Sequence, residues 1–405
     1  MIKTFAHLSL IAALLSFPAA EGQETPAPPS AENAYREGLR YAEGKEGEKD
    51  MTKAVEHFLT AARQGHAAAQ GWLAVCYAEG EGVPQDYAES VKWAEQGAAQ
   101  GDPRACNSYA ISCEIGEGGL RRNPDQALIY YRYAAEAGYA PALRNLGVCY
   151  LKGQYAPQDQ HVAAQLFRLA ADQGDAQAQW YLGLCYENGL GVPRNCEEAA
   201  KWYYKAAEQN YAPAQNSLGR CCEEGRGLPL SDKEAVALYQ LAIRQGYTPA
   251  QNNLGLCYLL GHGVLQDATE ALKLFHLAAE QNYAPALNNI AQCYTHGHGV
   301  PQSDTEALKW YQRAADAGCA AAQYNLGQCY TYGRGTAVNP AKAFNCYAKA
   351  AQQNHARAIV QLAHFYLNGR GVKKNRTVAI MLYLQAAALG DEAAAQALRS
   401  LGVAL

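Results

Sequence analysis

Residues 178–207, AQWYLGLCYENGLGVPRNCEEAAKWYYKAA, contain two helical patterns separated by a turn. Four residues of the first half stand at i, i+4, i+7 and i+8, the spacing of one helix face: Ala178, Leu182, Cys185 and Tyr186. Gly189 and Gly191 follow, and glycine tolerates the positive φ at which many helices end. Asn195 is a suitable N-cap for the second half. The stretch therefore predicts a helix-turn-helix hairpin.

The same pattern recurs along the chain, and from Cys149 onward the interval is 36 residues. Its most regular column is cysteine: Cys76, Cys149, Cys185, Cys221, Cys257, Cys293 and Cys329. Gly or Ala stands two residues before each of these, a size limit that predicts a close approach of two helix backbones. Since one hairpin cannot bury both of its faces, neighbouring hairpins must stack. We predict an all-α protein, an α/α superhelical solenoid of about ten 36-residue repeats over residues 31–390, with a capping helix at 391–405.

The first 30 residues differ from the repeats. Residues 1–20 predict a secretory signal peptide, with Lys3 as the charge, an apolar run at 8–17 and small residues before a cut after Ala20. An apolar run of about ten residues is too short to span a bilayer, which needs roughly 20. Residues 21–30, EGQETPAPPS, predict a Pro-rich linker. We expect a secreted or periplasmic protein, or one of the endoplasmic reticulum lumen in a eukaryote, without an integral membrane segment after cleavage.

Composition and motifs argue against nucleic-acid binding and against catalysis. The net charge is −4 and only 18% of the residues are charged, so no basic field is available for a polyphosphate chain. The chain contains no Ser-x-x-Lys, Gly-x-Ser-x-Gly, His-Glu-x-x-His or P-loop motif. We therefore expect no enzymatic activity and no cofactor.

Thirteen cysteines in an exported chain suggest disulfides. Equivalent positions of stacked repeats, however, lie about 9–10 Å apart, whereas a disulfide needs Cα atoms within about 7 Å. The seven column cysteines are therefore predicted to be small buried hydrophobes. The six others could form one or two bridges: Cys106, Cys113, Cys196, Cys222, Cys319 and Cys346. No metal site is expected, because the spacing Cys-x-x-Cys is absent.

The repeat resembles the Sel-one-like repeat, a relative of the tetratricopeptide repeat, over nearly all of residues 31–390. The matching residues are Ala178, Leu182, Gly183, Tyr186, Gly189, Gly191, Val192 and Asn195, then Ala200, Lys201, Trp202, Tyr203, Ala206 and Ala207. The resemblance implies an adaptor or scaffold and no particular ligand. Some cysteine-rich relatives have been described as penicillin-binding or β-lactamase-like. A cell-wall or β-lactam-binding hydrolase is therefore one alternative, and a purely structural spacer is another.

Candidate partner-binding residues lie on the first helix, away from its buried face. Asparagine fills many of the positions four and five residues before the cysteine column, and a row of amides could grip the backbone of an extended peptide. These residues, with a tyrosine in the same row, are Asn145, Tyr181, Asn216, Asn252, Asn253, Asn288, Asn289 and Asn325. The alternative is that each Asn belongs to the repeat consensus and bonds a neighbouring turn. Large aromatic residues in nominally exposed columns are candidate anchors: Trp72, Trp180, Tyr324 and Tyr332. We predict a monomer that binds proteins or peptides on the concave surface of the first helices.

The residue in the middle of the inter-helix turn changes sign along the chain. It is acidic in the early copies, at Glu81 and Glu117, and the later copies have Arg226, His262, His298, Arg334 and Arg370. A charged edge of this kind could orient a dipolar partner. The alternative is that these are solvated turn charges without a role.

Overall fold

The computed structural model describes residues 29–44 and 47–403, and within these ranges the chain forms 21 α-helices and no strand. Each repeat supplies an odd-numbered first helix and an even-numbered second helix, and α21 follows the last repeat. The helices are α1 (Ala31–Glu43), α2 (Met51–Arg63), α3 (Ala67–Glu79), α4 (Tyr87–Ala99), α5 (Pro103–Ile115), α6 (Pro124–Glu136), α7 (Ala140–Lys152), α8 (Gln160–Asp172), α9 (Ala176–Asn188), α10 (Cys196–Glu208), α11 (Ala212–Glu224), α12 (Asp232–Arg244), α13 (Thr248–Leu260), α14 (Ala268–Glu280), α15 (Ala284–His296), α16 (Asp304–Asp316), α17 (Ala320–Tyr332), α18 (Pro340–Gln352), α19 (Ala356–Asn368), α20 (Arg376–Ala388) and α21 (Glu392–Ser400). The predicted signal peptide and most of the predicted linker lie outside the described residues.

The helix boundaries follow from the capping residues. The side chains of Asn195 and Asp267 each accept two backbone N–H bonds from the first turn of the helix that follows, as predicted. Gly189 ends α9 with a φ of 71°, and Asn210 adopts a φ of 60° after α10. These left-handed residues reverse the chain between successive helices.

The chain divides into two compact units, one up to Tyr133 and the other Ala134–Leu405. In the first unit α1 to α5 pack consecutively, and α3 also contacts α5. In the second unit α7 to α21 pack consecutively, and α15 also contacts α17. From α9 to α19, each first helix therefore lies between two second helices, that of the preceding repeat and that of its own repeat. The last helix, α21, packs against α20. The predicted all-α solenoid is confirmed.

One aromatic ring from the second helix lies at the centre of each repeat from α7 onward. Tyr203 and Phe275 are fully buried. A Cβ added to Gly183 would lie 2.5 Å from the ring of Tyr203, and one added to Gly255 would lie 2.5 Å from that of Phe275. The size limit in this column is therefore set by the ring of the same repeat, and the prediction that a second helix backbone sets it was wrong.

The column cysteines are buried, as predicted for small hydrophobes. Burial raises the pKa of the Cys185 and Cys257 thiols to about 12. Such thiols remain protonated and unreactive at neutral pH. All thirteen cysteines are free thiols, and Cys196, Cys319 and Cys346 are the partly exposed ones. None of the helices in the described part of the chain combines the length and apolar character needed to cross a membrane.

Candidate partner-binding surface on the first helices

The predicted asparagines form hydrogen bonds from one repeat to the next. Three amides four residues before the cysteine column donate from Nδ2 to the Oδ1 of an asparagine in the preceding first helix. The pairs are Asn253 to Asn216 at 2.9 Å, Asn289 to Asn252 at 2.8 Å and Asn325 to Asn288 at 3.0 Å. The acceptors are buried, whereas the donors are half-buried. We call these six residues the amide row; it runs from α11 to α17.

The asparagines were predicted either to bind a peptide backbone or to bond a neighbouring turn, and the amide row decides between these interpretations only in part. Each bond joins two first helices, so the alternative in which they bond a turn was wrong. An amide has two N–H hydrogens and an oxygen with two lone pairs, so a single bond leaves capacity for a ligand. The bond also fixes how the half-buried Asn253, Asn289 and Asn325 are oriented, which lowers the entropy cost of binding.

Aromatic residues continue the amide row at both ends. The indole N–H of Trp180 donates to the hydroxyl of Ser217 at 3.0 Å; the bond joins the same two columns as the asparagine pairs, but here the donor belongs to the earlier repeat. Tyr181 stacks on Phe167 with ring centroids 4.9 Å apart. At the other end Tyr324 stacks on His355 at 5.0 Å and accepts a hydrogen bond from Gln328 at 2.7 Å. Trp180, Tyr181 and Tyr324 are all half-buried. They cover the seams between repeats and still present one edge to solvent.

Three further predicted residues lie apart from this row. Asn145 is half-buried on α7. Trp72 belongs to the first unit, where its ring lies between Phe58, at 5.3 Å, and the guanidinium of Arg104, at 3.6 Å. Tyr332 is 61% exposed at the end of α17. The structure therefore gathers most, but not all, of the predicted site on the first helices of α9 to α17.

A set of buried glutamines was not predicted. Gln179 on α9 donates to the carbonyl of Ala171 on α8 at 3.2 Å and accepts from Gln209, the C-cap of α10, at 2.9 Å. Gln323 joins α16 and α18 in the same way, through Ala315 and Gln353. One side chain thus ties a first helix to the second helices on both sides of it. The sequence signal was present, because two columns of the repeat are rich in glutamine.

A buried carboxylate was also missed. Glu187 on α9 is 8% exposed and accepts hydrogen bonds from the hydroxyl of Tyr203 at 2.6 Å, from Arg220 at 3.2 Å and from Arg226 at 3.0 Å. One repeat later Glu223 accepts from Tyr239 at 2.7 Å and lies 3.7 Å from His262. The turn residue Arg226 therefore serves an internal ion pair, which favours neither interpretation of the turn charges.

Two adjoining cavities open along α15 and α17, the first also bordered by α16 and the second by α19. One has a volume of about 280 Å³ and is lined by Thr295, Tyr311, Gln328 and Arg334 among others. The second, of about 360 Å³, is lined by Tyr324, His355 and Arg357. Gln292 and Asn325 line both cavities. The amide row therefore ends beside polar cavities large enough for peptide side chains.

A third cavity, of about 790 Å³, lies between the second helices α10 and α12. Its walls are mostly apolar, with Trp202, Leu218 and Leu238 among them, and the ammonium of Lys205 lies 4.0 Å from the Trp202 ring. This groove was not predicted from the sequence, and it lies where the side chains of α10 and α12 leave the space between the two helices incompletely filled.

These features define an α/α repeat protein with a polar, pre-oriented surface on its first helices. Ten consecutive segments match the Sel1 repeat: residues 34–66, 67–102, 103–139, 140–175, 176–211, 212–247, 248–283, 284–319, 320–355 and 356–391. The chain therefore belongs to the Sel1 repeat family, whose members are generally scaffolds for protein–protein interaction and generally not enzymes.

Two solved structures illustrate the likeness. A Sel1 repeat protein from Oxalobacter formigenes is 32% identical, with a TM-score of 0.54, and the match covers 76% of this chain and 90% of that one. The protective antigen c5321 of uropathogenic Escherichia coli is 29% identical, with a TM-score of 0.51, over 88% of this chain and 84% of the antigen. No curated protein matches the chain.

Proposed function

We propose that this chain is a monomeric, non-enzymatic scaffold that holds protein or peptide partners on the first helices of residues 134–405, outside the cytoplasm. The amide row carries the proposal. Its half-buried amides are held in one orientation by bonds to the preceding repeat. A repeated, pre-oriented set of donors and acceptors suits an extended peptide backbone, whose own N–H and C=O groups also recur at regular intervals.

Two observations support export. Residues 1–20 have the charge, the apolar run and the small terminal residues of a cleavable signal. The likeness to c5321, a protective antigen of uropathogenic Escherichia coli, agrees with the same location. N-terminal sequencing of the protein recovered from its native compartment should begin at Glu21. A protein that still begins at Met1 would contradict export through this signal.

Site-specific photo-crosslinking tests the binding surface. A photoreactive amino acid at Gln292, which is half-buried between the two polar cavities, should give covalent adducts with a partner in the native compartment. The matched control carries the same group at Leu277, which is 43% exposed on the second helix α14. Adducts from position 277 alone, or from neither position, would contradict binding on the first helices. Covalent labelling by a fluorescent penicillin would contradict the non-enzymatic assignment.

A further inference from the structure

We call Glu187, Tyr203, Arg220 and Arg226 the Glu187 cluster; in it, the carboxylate of Glu187 occupies an anion-binding site formed by the other three side chains. Three donors from two repeats converge on one carboxylate: the Tyr203 hydroxyl, Arg220 and Arg226. Hydrogen bonds to an ionised acceptor are about twice as strong as neutral ones, so this set forms a strong anion site. Because the chain is periodic, its other repeats show what happens when the carboxylate is missing.

Three repeats later the same columns hold Thr295, Tyr311, Gln328 and Arg334. The hydroxyl, a polar side chain and the guanidinium remain, but threonine replaces the glutamate. Thr295 is too short to fill the space, and its hydroxyl bonds to the carbonyl of Ala291 at 2.9 Å and lies 3.2 Å from the hydroxyl of Tyr311. The cavity of about 280 Å³ is lined by all four of these residues. It therefore lies where a carboxylate sits in the Glu187 cluster.

The guanidinium of Arg334 is the donor of this cavity that is best suited to a negative group. Among the described residues, no carboxylate lies within 4 Å of the Arg334 guanidinium, whereas Arg226 at the equivalent position contacts Glu187. Asp304 also lines the cavity and opposes part of the positive charge of Arg334, so a singly charged carboxylate is favoured over a doubly charged phosphate. A carboxylate with a short aliphatic stem fits both the charge and the volume.

We propose that this cavity binds a carboxylate of a peptide partner, which accepts hydrogen bonds from Arg334 and Gln328 and replaces Thr295 as the acceptor for the hydroxyl of Tyr311. The peptide part of the assignment rests on the proposed function, whereas the carboxylate part rests on the internal comparison. Gln292 and Asn325 connect the site to the second cavity, at Tyr324 and Arg357. The rest of the peptide would follow this route towards the amide row.

A substitution that places a carboxylate in the cavity tests the site without any partner. Thr295→Glu should reproduce the Glu187 arrangement and raise Tm by roughly 2–4 °C. Thr295→Gln, which has the same length and no charge, should give less than half of that gain. Leu259→Glu, in the same column but opposite Phe275, has no hydroxyl to bond and should lower Tm. A Thr295→Glu protein that loses as much stability as Leu259→Glu would overturn the proposal.

Small probes test the site in the wild-type protein. Glutarate should raise Tm and glutaramide, its neutral counterpart at matched ionic strength, should not. Thr295→Glu should abolish the effect, and Arg334→Gln should weaken glutarate binding about tenfold. Acetylated penta-alanine peptides with a central Glu or Gln, and with a free or amidated C-terminus, then separate a side-chain carboxylate from a terminal one. The carboxylate site would be overturned by three results together: Glu and Gln peptides bind with equal affinity, free and amidated C-termini bind with equal affinity, and glutarate does not change Tm. Crosslinking at Gln292 could still succeed in that case, so the two proposals fail separately.

Discussion

Repeats with tyrosine at their centre differ from repeats with phenylalanine in the residue that faces the ring from the first helix. Tyr203 faces Glu187 and Tyr311 faces Thr295, and each hydroxyl has a polar partner within 3.2 Å. Phe275, which has no hydroxyl, has Leu259 in the same position. The same rule pairs Tyr131 with Glu114, Tyr239 with Glu223, Tyr347 with Thr331 and Phe167 with Leu151. Tyr383 opposite Leu367 is the exception.

The comparison shows that the central aromatic residue and the first-helix residue that faces it are matched to each other as a pair. A buried hydroxyl without a partner costs about 1–3 kcal/mol, and a buried carboxylate without one costs more. A tyrosine is therefore tolerated at the centre where the facing residue can accept or share its proton. Mismatching the two positions should reveal how strongly each pair depends on this.

The largest loss is expected from Glu187→Leu, which gives a tyrosine repeat the partner of a phenylalanine repeat. The Tyr203 hydroxyl would lose its acceptor, and Arg220 and Arg226 would lose their buried counter-charge, so the free energy of unfolding should fall by about 3 kcal/mol. Urea unfolding of both proteins measures this. Glu223→Leu is the matched control and should lose less, since Glu223 is more exposed and the imidazole of His262, its nearest basic group, is 3.7 Å away. Equal losses below about 1 kcal/mol would refute the pairing rule.

A smaller loss is expected when a phenylalanine repeat receives the tyrosine. Phe275→Tyr would bury a hydroxyl against Leu259 and should cost about 2 kcal/mol. Adding Leu259→Thr should recreate the pair seen at Thr295 and Tyr311 and recover part of the loss. A double-mutant cycle in urea should give a favourable coupling of about 1 kcal/mol. Additive losses would mean that the two positions are not matched.

Much of the fold was predictable because periodicity averages over ten copies. The turn glycines and the caps Asn195 and Asp267 act locally, so a single chain sufficed to locate the helices. The candidate site was less accessible, because its bonds join residues about one repeat apart. Asn253 was recognised, but not that it donates to Asn216.

The missed contacts left a trace in the sequence all the same. Glu or Thr occurs 16 residues before four of the five central tyrosines in α7–α20, and Leu occurs 16 residues before the two central phenylalanines of the same helices; in α6, Glu114 stands 17 residues before Tyr131. Comparing two columns across the repeats would have found this pairing, which neither column shows alone. The cavity beside Arg334 could not be found in this way, because it depends on Thr295 being too short to fill the space.

The contribution of each central tyrosine hydroxyl to the free energy of unfolding should also depend on its hydrogen-bond partner. Tyr203→Phe removes a bond to a carboxylate and should cost about 2 kcal/mol, whereas Tyr311→Phe removes a bond to a hydroxyl and should cost about 1 kcal/mol. Both rings keep their packing, so the difference reports the acceptor. Differential scanning calorimetry under one set of conditions gives both values. The reverse order would contradict the idea that a carboxylate acceptor contributes more than a hydroxyl acceptor.

The smallest effect separates tyrosine from phenylalanine repeats by pH alone. Burial, and then the bond to Glu187, raise the pKa of Tyr203 above its ordinary value. An unfolded tyrosine releases its proton near pH 10, whereas the folded protein still holds the proton of Tyr203 at that pH. Above about pH 10 the unfolded state therefore binds fewer protons than the folded state. The stability that this group contributes is complete at lower pH and is lost as the pH rises. Tyr203→Phe lacks this loss, and its deficit relative to wild type should shrink by about 0.4 kcal/mol between neutral pH and pH near 10. Phe275→Leu should show a deficit that does not change with pH. Urea unfolding at the two pH values decides, and a constant deficit for Tyr203→Phe would mean that its hydroxyl titrates in the folded protein as it does in the unfolded chain.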